Sequence, residues 1–453
     1  MPSTLVIRNV HLAYEDTEHA HTLFDIIIVD GKVSSVDNAA QLETTPQGDT
    51  ELEVVDAEGE GLLIPSLCHA HIHLDKCFLL DRCELRRGDF AEALSVTAQA
   101  KAAFLSDPAD LYARGRRLIV ESVAAGVTRM RAHVEVDATV RSACLDAAQK
   151  LKRAFRESCD VEISLFAQDP LFPSPVSSDP GENYRLIAEA AASSNISCIG
   201  SAPYVEPTTE HAKANLRLIL DLAHQHGLHA DFHLDYNLDA SRAPLIWFLL
   251  SELRTRMRAG RWAGGRTVCV GHATRLALFS AAEWARFAHE VGAGGLPVAL
   301  VGLPQSDVYM MGRGLSPVVP RGTLDVVRLP AEHRVHAAMA VNNVANAFTP
   351  QGPPDPLALC PLGVALFQAG TTSACGTLLR SVTSVAHAAT GQARSSSLLP
   401  RIGDIADFVI LHGCSGIQDT VCNPCYDRTT IKDGQVVAQR KGTIRLRYDT
   451  QSC

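Results

Sequence analysis

Eight short apolar runs, separated by amphipathic stretches, fill the middle of this 453-residue chain and restrict its fold more than any other feature. They cover residues 63–73, 127–134, 161–167, 198–205, 229–233, 267–272, 297–303 and 334–341. Helical patterns lie between most of them, as at 212–225 and 281–291. A strand that is apolar along its whole length is buried on both faces, which is the condition of a parallel sheet covered by helices. Eight strand–helix units close into a (β/α)8 barrel more readily than they extend as an open sheet.

The two chain ends read differently. Residues 5–10 alternate apolar and polar side chains, and Phe24–Val29 runs into the turn Asp30-Gly31-Lys32, followed by strands at 33–36 and 52–56. Near the other end, 407–411 reads as a strand, and Arg428–Lys432 leads through Asp433-Gly434 into 435–437. Asp-Gly between two short strands is a hairpin signal. Neither end alone has enough apolar residues for a stable core. The expectation is therefore one composite β-sandwich from residues 1–62 and 398–453, flanking an α/β barrel at 63–397, with Ser395-Ser396-Ser397 as the join.

Charge and cysteine usage narrow the function classes. The formal net charge is −9, so a nucleic-acid partner is not expected. The basic stretch Arg254-Thr255-Arg256-Met257-Arg258 falls in a helical pattern and reads as a solvated face. No run of about 18 uninterrupted apolar residues occurs, so no membrane span is expected. Met1-Pro2-Ser3-Thr4 shows no charged segment leading into an apolar one, as a secretory signal would. Thirteen scattered cysteines read as reduced thiols of a cytoplasmic protein, and Cys422-Asn423-Pro424-Cys425, a lone CxxC, as a structural loop. A phosphate-binding loop and a GxSxG nucleophile elbow are both missing from the sequence.

The chemistry sits at strand ends. His71 and His73, two apart at the end of the first apolar run, share one face of a strand and point into the mouth of a barrel. Two neutral imidazoles so placed suit Zn²⁺ or Fe²⁺. His233 ends the fifth run and His272 the sixth. Each alone is compatible with a structural histidine, but several converging on one end of a barrel point to a metal site. His133, in Arg131-Ala132-His133-Val134-Glu135, lines the pocket, braces a ligand or is structural.

These residues resemble the amidohydrolase superfamily, and most of all its cytosine-deaminase and triazine-amidohydrolase branch. The likeness extends over nearly the whole chain. It runs from Pro65-Ser66-Leu67-Cys68-His69-Ala70-His71-Ile72-His73-Leu74-Asp75-Lys76 to Gly403-Asp404-Ile405-Ala406-Asp407-Phe408, and includes Asp307-Val308-Tyr309-Met310-Met311-Gly312-Arg313. The resemblance implies one divalent metal, zinc or iron, on His71, His73 and His233. It places His272 against the attacking water or the substrate, and Gln168 against a heterocyclic amide. It implies a metal-dependent hydrolase of a non-peptide C–N bond in a small, cyclic amide or amine. Many relatives form homo-oligomers.

Two positions depart from that pattern. The aspartate ending strand eight of the family aligns with Asn342, a neutral side chain and a very poor proton acceptor. The glutamate three residues after the strand-five histidine is Tyr236. Asp235, Asp307 and Glu206 are the carboxylates left to substitute. These departures favour an alternative: a barrel with weak or no metal that acts as an isomerase, lyase or cyclase, with Tyr236 as acid, or that only binds a ligand.

Overall fold

The computed structural model describes residues 4–446, apart from 17, 20, 40–51, 194, 263, 314–321 and 393–395. Residues 1–3 and Ser395 of the expected join lie outside the described residues. The described strands are β1 (Thr4–Leu12), β2 (Phe24–Val29), β3 (Lys32–Asn38), β4 (Leu52–Pro65), β5 (Leu67–His73), β6 (Val127–Glu135), β7 (Asp160–Ala167) and β8 (Cys198–Ser201). After these come β9 (His229–Leu234), β10 (Val268–His272), β11 (Val298–Gly302), β12 (Ala337–Met339), β13 (Phe408–His412), β14 (Arg428–Lys432) and β15 (Gln435–Arg440).

Strands β5 to β12 pair in parallel and in chain order, as the eight apolar runs predict. The ring is closed just beyond β12. Asn342 N donates to the His71 carbonyl at 3.2 Å, and His73 N donates to the Asn342 carbonyl at 2.8 Å. Every residue of β5 is buried. Helices cover the outside. Thr209–His226 shows why such a segment is helical: Thr208 caps its start by accepting from His211 N, and Gly227 ends it at φ 74°. Its buried stripe, including Leu216, Ile219, Leu220 and Ala223, packs inward.

The chain ends form one seven-stranded mixed sheet, in the order β15-β14-β13-β4-β1-β2-β3. Both Asp-Gly hairpins are present. Asp30 and Gly31 have φ 50° and 74°, and Asp433 and Gly434 have φ 49° and 74°, the doubly left-handed turn that matches strand twist. The first apolar run is divided differently from the expectation. Leu63, Ile64 and Pro65 belong to β4 and pair with β13, and the barrel begins at Leu67. The period of two accounts for this. Leu62 and Ile64 join the large core of the barrel, while Leu63 joins the core of the terminal sheet, so this stretch is buried on both sides. The run at 198–205 stops as a strand at Ser201 and turns through Pro203–Val205, and that at 334–341 keeps only Ala337–Met339.

Among the described residues no helix is long and apolar enough to cross a membrane. No disulfide joins any of the twelve described cysteines. Cys422 ends a short helix, and the Cys425 thiol donates to the Asp427 carbonyl at 3.4 Å, so the CxxC is a loop.

Candidate active site

Three of the sequence-predicted residues meet in space. His71 and His73 leave β5 on the same face, and His233 arrives from β9. His71 Nε2 lies 3.1 Å and His73 Nε2 3.0 Å from His233 Nε2. All three side chains are buried, and burial holds each imidazole well below its ordinary pKa, hence neutral. Neutral imidazole lone pairs converging on one point are the donor set of a divalent metal. Tetrahedral zinc with nitrogen ligands sets neighbouring nitrogens roughly 3.4 Å apart, a few tenths of an ångström more than observed here. Asn342 lines the same cavity, and its side-chain oxygen is buried and without a hydrogen-bond partner. The residues present fit a metal.

Asn342 occupies its position for a backbone reason as well. Its φ is 67°, a left-handed conformation that Asn tolerates better than most residues. Its Nδ2 donates to Ser306 Oγ at 2.8 Å, while Oδ1 has no partner.

His272 stands beside the three histidines, its ring centroid 5.3 Å from that of His233. Its Nδ1 is 2.8 Å from Asp307 Oδ1. Asp307 also accepts from Thr323 Oγ1 at 2.7 Å and from Leu303 N at 3.1 Å. Its burial raises the carboxyl pKa, and these bonds oppose that rise. Asp307 comes from the helix Pro304–Met310, after β11. Tyr236 stacks on His272 with centroids 3.7 Å apart. Burial lifts its phenol well above the ordinary value.

Gln168 faces the cavity from the end of β7, but the lysine beside it carried no role in the sequence reading. Lys76 Nζ donates to Gln168 Oε1 at 3.0 Å and pairs with Glu135 Oε1 at 2.8 Å. Lys101 holds the other Glu135 oxygen and lies 2.8 Å from Asp137 Oδ2. The two ammonium groups hold the Glu135 carboxyl down at about 2 despite its burial. The position of Lys76, three residues after His73, was the available signal; its partners lie 59 and 92 residues away.

The three substitute carboxylates separate cleanly. Glu206 accepts from the Leu171 and Phe172 amides and from Asn215. Asp235 accepts from Leu245 N and Ile246 N at the start of a helix. Both are taken up by structure, and Asp307 alone of the three bonds a pocket histidine. His133 lies behind the cluster, its ring 4.1 Å from that of His71, with neither ring nitrogen hydrogen-bonded. Together with His71 and Asp231 it forms a second buried group of potential ligands.

The cavity between these residues measures about 20 Å³, room for about one water.

No family model matches the chain. Among curated proteins it is 24% identical over 243 residues to N-isopropylammelide isopropyl amidohydrolase of Pseudomonas sp. strain ADP, covering 51% of this chain and 53% of that protein. It is 23% identical over 337 residues to pterin deaminase of Rhizobium rhizogenes, covering 74% and 70%. The chain thus spans about half the length of the first relative. Among solved structures it superimposes on 5-methylcytosine deaminase from Klebsiella pneumoniae, liganded with 5-fluorocytosine, with a TM-score of 0.81, 22% identity and coverage of 98% and 99%. N-isopropylammelide isopropylaminohydrolase from Burkholderia multivorans gives 0.72, 22%, and 97% and 99%. An adenosine deaminase from Xanthomonas campestris with bound zinc gives 0.64, 15%, and 99% and 96%. With the parallel barrel, the terminal sheet and these superpositions together, the chain has the amidohydrolase-type fold that these deaminases and amidohydrolases share.

Proposed function

We propose that this chain is a metal-dependent hydrolase that cleaves a non-peptide C–N bond in a small, cyclic amide or amine. One observation carries the reading: the Nε2 atoms of His71, His73 and His233 converge to 3.0 and 3.1 Å beside the unpartnered Asn342 oxygen and the His272–Asp307 pair. His71, His73 and His233 would hold one Zn²⁺ or Fe²⁺, with the Asn342 carbonyl as a neutral fourth donor. Such an ion lowers the pKa of water toward neutrality and polarises the bond under attack.

The protein's own groups then manage the proton. The Asp307 carboxylate accepts from His272 Nδ1–H, which fixes the tautomer and leaves the Nε2 lone pair exposed to the cavity. Nε2 takes a proton as the water oxygen bonds to carbon. It returns that proton to the nitrogen as the C–N bond breaks. In this reading His272 and Asp307 replace the two carboxylates absent at positions 342 and 236. Tyr236, stacked on His272, holds the imidazole plane and excludes water. Gln168, fixed by Lys76, orients the ring of the substrate.

Elemental analysis of the purified protein, beside an amine- and ammonia-release screen of heterocycles, tests the proposal. About one zinc or iron per chain with turnover is expected, and His71→Ala should lose both. Unchanged turnover in His71→Ala removes the metal from the mechanism. Asn342, neutral where an anion is expected, favours the second reading: a barrel without tightly held metal that isomerises, eliminates or only binds. That reading requires substoichiometric metal and no amine release.

A further inference from the structure

Each cysteine of the CxxC has a cysteine partner outside the motif. Cys422 ends the helix Ile417–Cys422, and its thiol is hydrogen-bonded with that of Cys375 on the helix Thr372–Val382. The same two helices touch one turn earlier, where Thr372 Oγ1 donates to Gln418 Oε1 at 3.5 Å. Gln418 Nε2 in turn donates to the Gly370 carbonyl at 2.6 Å. These contacts hold Cys422 against the barrel's last helices. Cys425 is paired instead with Cys414.

The backbone sets up this second pair. Strands β13 and β14 run antiparallel from Phe408 opposite Ile431 to Leu411 opposite Arg428, and His412 N donates to the Asp427 carbonyl at 3.0 Å. Cys414 follows that rung by two residues and Cys425 precedes it by two. Gly413, at φ 88°, turns the chain, and Cys414 N donates back to the Leu411 carbonyl at 3.4 Å. The Cys425 thiol is held at the same rung, 3.4 Å from the Asp427 carbonyl oxygen. The two sulfurs are hydrogen-bond partners, and the Cys425 backbone N–H also donates to the Cys414 sulfur. Neighbours across the end of an antiparallel pair have Cα spacings that a disulfide can span.

The two thiols differ in character. Hydrogen bonding with Cys425 brings the Cys414 thiol down to about 6, and the same contact raises Cys425. Near neutral pH one sulfur is then a thiolate, the nucleophilic form, while the other keeps its proton. Cys414 is buried and Cys425 is partly exposed, so the pair reaches from the core to the surface.

The geometry points to Cys414 and Cys425 as an oxidisable dithiol that closes to a disulfide, with Cys422 of the CxxC left out. The oxidant is a peroxide. The Cys414 thiolate attacks one peroxide oxygen, an S–O bond forms as the O–O bond breaks, and the departing hydroxide is protonated to water. The Cys425 sulfur then bonds the Cys414 sulfur. The S–O bond breaks, and the leaving hydroxide takes the Cys425 proton as a second water. The sulfurs give up two electrons and the peroxide gains them. The bridge closes a ring around residues 415–424, fastening the helix Ile417–Cys422 to the end of the terminal sheet.

Hydrogen peroxide on the purified full chain tests this, followed by alkylation of the remaining thiols in denaturant, proteolysis at aspartate and mass spectrometry without reductant. Cleavage at Asp419 parts Cys414 from Cys425, so only a bridge keeps their peptides together. Most chains are expected to show the two peptides joined, two hydrogens lighter than their sum, and separable by dithiothreitol. Cys77, whose thiol burial pushes up to about 12, should stay open to alkylation after denaturation. Cys422→Ser should keep the link and Cys425→Ser should lose it. The inference is overturned if the peptides separate without reductant, if Cys422→Ser loses the link, or if Cys425→Ser keeps it.

Discussion

Acid should unfold the metal-stripped protein by a computable amount, because its buried histidines are neutral. His71, His73, His133 and His233 are all held well below the ordinary imidazole value by burial, and burial pushes His69 down to about 3. In the unfolded chain each titrates near 6.5. A group whose folded pKa is lowered in this way gives full stability above 6.5 and loses it as pH falls, since the unfolded state binds the proton first. Between pH 7.5 and 5.5 each of the five costs about 1.4 kcal/mol, or about 7 kcal/mol together. Aspartates raised by burial oppose this, Asp169 and Asp307 among them. Burial raises Asp75, Asp231 and Asp235 to about 6. A raised carboxyl penalises the fold above pH 6 and relaxes that penalty as it protonates, returning about 0.8 kcal/mol each by pH 5.5. With those three counted, the net loss is at most about 5 kcal/mol, comparable with the whole stability of many domains. Urea unfolding of chelator-treated protein at the two pH values measures it. His69 hydrogen-bonds Ser122 Oγ at 3.1 Å, away from the three-histidine cluster, and serves as the internal control. His69→Gln should reduce the acid sensitivity by about 1.4 kcal/mol. Equal stability at the two pH values, within about 1 kcal/mol, would refute the claim that these imidazoles are buried and neutral.

Other tests address the site directly. Asn342→Asp adds an anionic donor without added bulk, and Ser306 can donate where it now accepts, so zinc affinity in a chelator competition should rise at least tenfold; an unchanged affinity would show that position 342 does not face the metal. Asp307→Asn removes the acceptor that fixes the His272 tautomer; kcat for any substrate found by the screen should fall by about 10³–10⁴ with metal content unchanged, and a loss below tenfold would release Asp307 from the mechanism. Gly271 packs so closely on His71 that an added Cβ would lie 2.8 Å from its Cε1 and 2.9 Å from its Nδ1. Gly271→Ala should therefore displace a ring of the proposed metal site and lower the metal content of purified protein, and full occupancy would count against the assignment of His71.

The arrangement also shows how a polar core is retained at the mouth of a barrel. Lys76, Glu135, Lys101 and Asp137 are all at least 95% buried, yet each has an oppositely charged partner within reach. Removing one member strands the others, which is why such groups resist substitution even where the pair itself adds little stability. The same network fixes Lys76 against Gln168.

What the sequence determined by itself was periodic and local. Strand period and helix alternation gave the eight-stranded barrel; Asp30-Gly31 and Asp433-Gly434 gave both hairpins; and the spacing of His71 and His73 put two imidazoles on one face. Those signals act over a few residues, where backbone geometry leaves little choice. The tertiary structure alone decided which distant groups meet. His233 reaches His71 across 162 positions, Asp307 rather than Asp235 or Glu206 bonds His272 across 35, and Lys76 finds Glu135 and Gln168 on neighbouring strands. It also decided that Leu63 faces the terminal sheet while Leu62 and Ile64 face the barrel. The physical reason is that ring closure brings strand ends together from the whole chain, and no spacing rule records which carboxylate then stands beside which base.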